Sequence, residues 1–97
     1  SDYKNMLLKD IREAMEFSDL PRVFESIEDH IEEQVSDDEA KMMLELAMGL
    51  EPRTYDDWDE FCEDYQAILD LVDFPIMDAV SHARRHQFKS SNLDKFR

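Results

Sequence analysis

Ninety-seven residues suffice for one domain that buries roughly two-thirds of its unfolded surface, and are too few for two. Twenty-five Asp and Glu against eleven Lys and Arg leave a formal net charge of -14, while 42% of the residues are hydrophobic, more apolar content than a disordered chain carries. No apolar run approaches the ~18 residues of a membrane span, no signal-peptide core follows the N-terminus, and the single Cys62 admits no internal disulfide, so the expected setting is cytoplasmic and away from membranes.

Five stretches show helical periodicity. The first, from about Tyr3 to Phe17, sets Tyr3, Leu7, Ile11 and Met15 one turn apart, with Met6, Leu8 and Ala14 beside them; Ser18 and Asp19 end it. The second starts near Leu20 with Pro21 in its first turn, where a missing N–H costs nothing. It buries Leu20, Val23, Phe24, Ile27, Ile31 and Val35, leaving Glu25, Glu28, Asp29, Glu32 and Glu33 as an acidic ridge. Ser36 to Glu39 reads as a capping box that opens a third helix presenting Ala40, Met43, Leu44, Ala47 and Met48. That helix is expected to stop at Gly49, the only glycine of the chain, in the left-handed position that follows many helices. Pro52 forbids continuation.

Thr54 to Asp57 repeats the capping logic with a shorter acid, predicting a fourth helix whose seam is Trp58, Phe61, Cys62, Tyr65, Ile68, Leu69 and Val72. Asp73, Phe74 and Pro75 break it. A fifth helix is expected from about Ile76 to Phe88, with Ile76, Val80, Ala83 and Gln87 on one side; residues 89–97 read as one extra turn capped by Ser90 or Ser91, or as a frayed tail. Connections of two to five residues favour antiparallel neighbours. The expected architecture is all-α, a compact bundle of about five short helices forming a single acidic domain over 1–97.

The sequence points away from catalysis. Phosphate-cradling loops need several glycines at fixed spacing, and one is present. His82 and His86 stand four apart, but Ala83 occupies the place where a zinc hydrolase carries glutamate. Neither do Ile27, Ala79 and Ala83, three residues before each histidine, supply the glutamate of a carboxylate di-metal bundle. An EF-hand reading of Asp57 and Asp59 fails at Phe61 and Cys62. Cys62 lies in an apolar seam, where a thiol packs as a small hydrophobe and its pKa rises. Neither a catalytic residue, a metal nor a cofactor is expected.

Charge distribution is the unusual feature. From Glu13 to Asp78 there are 22 acids and three bases, a net -19 over 66 residues, whereas Ala79 to Arg97 carries five bases and one acid, a net +4. On the fourth helix Asp56, Asp57, Asp59, Glu60, Glu63, Asp64 and Asp70 place seven carboxylates along fifteen residues, about 22 Å of axis. That is one charge per ~3 Å, near the ~3.4 Å between phosphates along one DNA strand. The sparse bases leave self-repulsion that a purely structural module would relieve with i, i+4 lysines. The sign excludes nucleic acid as a direct ligand of this region, and the basic end, Arg84, Arg85, Lys89, Lys95 and Arg97 with His82 and His86, is too small for a primary footprint.

In size, charge and helicity, though through no particular motif, the chain resembles the acidic anti-restriction and anti-CRISPR proteins of phages and mobile elements. That resemblance implies a non-enzymatic inhibitor that mimics DNA and occupies a basic, nucleic-acid-binding surface of a partner protein. The residues expected to carry it are Asp56, Asp57, Asp59, Glu60, Glu63 and Asp64, supported by Glu25, Glu28, Asp29, Glu32 and Glu33, two ridges on one surface. Rival readings are an immunity, antitoxin or adaptor protein that adds an apolar anchor (Tyr55, Trp58, Met42 or Phe96) for one cognate partner, a solvated structural module, and a homo-oligomer in which the basic fifth helix meets an acidic face.

Overall fold

A computed structural model describes the backbone over residues 2–50 and 54–95, and side chains as far as residue 86. Pro52 and Phe96 lie outside the described residues, as do the side chains of Gln87, Phe88, Lys89 and Lys95. Five helices follow one another: α1 (Asp2–Ala14), α2 (Pro21–Gln34), α3 (Asp37–Met48), α4 (Trp58–Asp70) and α5 (Ile76–Lys95). Among the described residues there is no strand, and the all-α bundle expected from periodicity is the fold.

Each helix begins or ends where its backbone groups find partners. Pro21 occupies the first turn of α2. In α3 the Ser36 hydroxyl accepts the Glu39 N–H at 3.1 Å while Glu39 Oε1 accepts the Ser36 N–H at 2.9 Å, a reciprocal box that satisfies two orphan donors. Beyond Ala14 the chain tightens into turns, with Met15 N–H reaching both Ile11 and Arg12, so α1 is shorter than the stripe to Phe17 implies. In contrast α5 runs unbroken through Ser90 and Ser91 to Lys95, instead of stopping at Phe88.

The two helix exits reverse the expectation about glycine. Gly49 sits at φ -84°, an ordinary right-handed conformation, so it is not in the left-handed position that its place after α3 suggests. The left-handed residue is Asp73, at φ 58°. There the Phe74 N–H reaches back to Leu69 and the Asp73 N–H to Asp70, both at 3.1 Å, the paired bonds of a Schellman exit, with an aspartate where glycine is usual. Short polar side chains are the L-residues best able to stand in that region.

The helices pack in the cyclic order α1, α3, α4, α5, α2, each lying mainly against the two beside it. Consecutive helices reverse direction: Lys4 near the start of α1 bonds the Glu32 carbonyl near the end of α2, while Arg12 near the end of α1 lies over Phe24 near the start of α2. A ring with an odd number of members cannot alternate all the way round. The pair forced to run the same way is α1 and α3, whose starts meet where Lys41 approaches the Tyr3 ring.

Inside the ring, Leu7, Ile11, Ile27, Ile31, Met43, Phe61, Tyr65, Ile76 and Val80 are almost wholly buried. At ~25 cal/mol per Å² of apolar surface, each large side chain buried here stabilises the fold by about 1.5–3 kcal/mol. Phe61 stacks on Tyr65 with centroids 4.6 Å apart and planes 9° from parallel, and Tyr55, Trp58 and Phe17 meet this pair or one another edge-on or tilted. Tyr65 also donates its hydroxyl at 2.7 Å to Asp10, the one buried carboxylate among the described residues. This bond ties α4 to α1 across the core. Three residues placed on apolar stripes by periodicity, Tyr3, Met6 and Met48, are exposed instead: Tyr3 and Met48 fall at helix ends, and Met6 lies at the edge of the α1 stripe, to one side of the buried Leu7, Ile11 and Ala14.

Candidate functional site

On α2, apolar Val23, Ile27 and Ile31 turn inward. Glu25, Glu28, Asp29 and Glu32 follow the i, i+3, i+4, i+7 spacing of one helix face, with Glu33 at its edge. Glu25, Asp29, Glu32 and Glu33 are exposed and Glu28 is half-buried. Among the described residues none of these five side chains takes a hydrogen bond or an ion pair; Glu32 engages Lys4 only through its backbone carbonyl. The result is a mostly exposed ridge about 12 Å long.

The acids of α4 are arranged differently. The helix begins three residues later than Thr54 to Asp57 suggested: Asp57 is the N-cap, accepting the Glu60 N–H at 2.9 Å, and Glu60 Oε2 accepts the Asp56 N–H at 3.2 Å. Asp64, half-buried, accepts the Tyr55 hydroxyl at 2.7 Å. Three of the six acids expected to meet a partner there, Asp57, Glu60 and Asp64, are therefore engaged in holding the start of α4. The side chains of Asp56, Asp59 and Glu63 are exposed and make no such bond among the described residues. The spacing Asp57, Trp58, Asp59, Glu60 is itself a capping signature, and it is the signal that sequence reading placed three residues too early.

The two ridges do not form one continuous surface from neighbouring helices. In the packing order, α5 stands between α2 and α4 on one side, and α1 with α3 on the other. Sequence alone set no packing order, so this separation was not visible there. The intervening helix is the basic one, and its exposed Arg84 lies close enough to Cys62 to act on it electrostatically. Burial dominates at that thiol, raising its pKa above the usual 9.0, with Asp59 adding to the rise and Arg84 opposing it. Cys62 is thus held as a protonated, packed side chain.

The histidines divide. His30 is half-buried, packs against the Phe74 ring, and its Nε2 lies 2.7 Å from the Val72 carbonyl. Since a carbonyl only accepts, Nε2 carries the proton and donates. His82 and His86 are exposed on α5 with ring centroids 4.1 Å apart, in a groove of 490 Å³ shared with Glu25 and Asp29 of α2. Among the described residues, no three ligating side chains converge as a metal site requires.

Of the four candidate anchors, Tyr55 and Trp58 are buried and serve the aromatic core, with the Trp58 indole N–H finding no acceptor among the described residues. Met42 is 48% exposed and Leu46, one turn further along α3, is 49% exposed. Among the described residues no helix is long and apolar enough to cross a membrane. No protein-family model, curated protein or solved structure matches this chain.

Proposed function

We propose that the chain is a non-enzymatic binding protein whose acidic helix faces occupy a basic, nucleic-acid-binding surface of a partner protein, in the manner of the DNA-mimicking inhibitors of phages and mobile elements. The observation that supports this reading is the α2 ridge: five carboxylates on one face, none of them engaged by a side chain of the protein itself among the described residues. A surface held in that state carries a like-charge repulsion that a cationic partner relieves. Its charge draws such a partner in at a rate that falls with salt. On α4, Asp56, Asp59 and Glu63 supply charge to the same end, while Asp57, Glu60 and Asp64 keep their structural bonds.

The test is competition. Labelled duplex DNA bound to each of several unrelated basic proteins is titrated with this chain at low and at moderate salt. Displacement from several of them, weakening as salt rises, is the expected result; no displacement from any would overturn the reading. Displacement from a single protein would instead favour a cognate inhibitor or adaptor. The exposed pair Met42 and Leu46 supports that second reading, since a specific interface needs an apolar anchor that water can leave.

A further inference from the structure

Between α1 and α2 lies a second groove, of 540 Å³, whose lining includes Met15, Pro21 and Phe24 together with the acids Glu25 and Glu28. One of the molecule's own side chains shows what this groove holds. Arg12 places its guanidinium 4.6 Å from the centre of the Phe24 ring, and it also lines the groove. A planar, weakly hydrated guanidinium gains from an aromatic face, and it does so more readily than the compact, strongly hydrated ammonium of lysine.

We propose that this groove is an arginine-reading subsite: an arginine of the basic partner displaces Arg12 from the Phe24 ring and is neutralised by Glu25 and Glu28. The proposal rests on the reading of the protein as a binder of basic surfaces and names the side chain that such a surface must offer. Charge complementarity selects the occupant. Met15 and Pro21 suit the aliphatic stem, the ring suits the guanidinium plane, and the two glutamates belong to the ridge that has no internal partners. Arg12 is then a placeholder that keeps the ring covered until a partner arrives.

The experiment measures dissociation constants for short arginine-only and lysine-only peptides of equal length, against the wild-type chain and the Phe24→Leu and Arg12→Ala variants, with thermal melts to establish folding. The wild type is expected to bind the arginine peptide roughly threefold to fivefold more tightly than the lysine peptide. Phe24→Leu should abolish that preference and leave the lysine peptide's affinity unchanged. Arg12→Ala should strengthen both peptides through the lost positive charge and raise the ratio between them by vacating the ring. Equal binding by the wild type, or a preference that survives Phe24→Leu, overturns the subsite while leaving the general reading in place. If Phe24→Leu does not fold, the Arg12→Ala ratio decides, and a ratio that fails to rise overturns the subsite. Binding of neither peptide at low salt overturns the general reading and the subsite together.

Discussion

The second and fourth helices carry acid at similar density, yet the structure uses it in two ways. On α2 the five carboxylates hold nothing together among the described residues, whereas on α4 Asp57, Glu60 and Asp64 accept hydrogen bonds that fix the helix start and the Tyr55 side chain. Charge counted along a sequence does not distinguish the two cases. A carboxylate that accepts a backbone N–H is already part of the fold, and a partner that draws on it competes with the protein's own structure.

The largest expected effect separates the ridges outright. Reversing Glu25, Glu28, Glu32 and Glu33 to lysine should slow association with a basic partner about tenfold or more at low salt, with the thermal midpoint unchanged or raised. A fourfold reversal that includes Asp57, Glu60 and Asp64 should lower the midpoint as well, because it removes a cap and the half-buried acceptor of the Tyr55 hydroxyl together. Stopped-flow binding and thermal melts of both variants make the comparison. Equal slowing with unchanged melts would erase the distinction.

Next in size is Tyr55→Phe, which removes the donor to Asp64. A hydrogen bond to a charged group contributes about 1.5–3 kcal/mol, and the bond here is half-buried, so urea unfolding should show a loss toward the lower end. Asp57→Ala should cost about 1 kcal/mol through the lost N-cap, with Asp57→Asn retaining most of the stability, while Glu33→Ala should stay within about 0.5 kcal/mol of wild type.

The α3 cap sharpens the same contrast through pH. Hydrogen bonds from the Ser36 backbone, and then from its hydroxyl, lower the Glu39 pKa below its usual 4.5. A depressed folded pKa means a contribution present above the unfolded value and lost as pH falls through the folded one. The stability difference between wild type and Glu39→Gln should therefore be full at neutral pH and shrink as pH drops below 4.5. Smallest of all is the pair at the helix exits. Asp73→Gly should be neutral or stabilising by up to about 1 kcal/mol, since it relieves a left-handed aspartate. Gly49→Ala should be tolerated, because a Cβ there meets the Leu46 carbonyl oxygen at an ordinary 3.5 Å.

Much of the fold was legible because it is written in nearest-neighbour terms. Periodicity located five helices, Ser36 and Glu39 announced a capping box that the structure contains, and the seam from Trp58 to Val72 is buried throughout. Errors gathered where two local signals competed. Thr54 and Asp57 both offered caps, and the later one won because Glu60 and Asp56 complete it. Gly49 drew the left-handed assignment that belongs to Asp73, since composition favours glycine there but the Schellman bonds need only a residue able to bear a positive φ. Of the candidate site, sequence identified which residues are acidic and outward; which of them the fold consumes was hidden, because Tyr55 reaches Asp64 only after the loop before α4 has folded back on the helix.

Helix number, the inward stripes and the excess of negative charge are properties of the chain alone, since they depend on spacing along one helix and on counting side chains. Which helices touch, that basic α5 separates α2 from α4, and that Arg12 covers Phe24 while the α2 acids stay unengaged were decided by tertiary packing. The physical reason is range: a helix face follows from residues within one or two turns, whereas the availability of a charge depends on what distant segments bring within hydrogen-bonding distance of it.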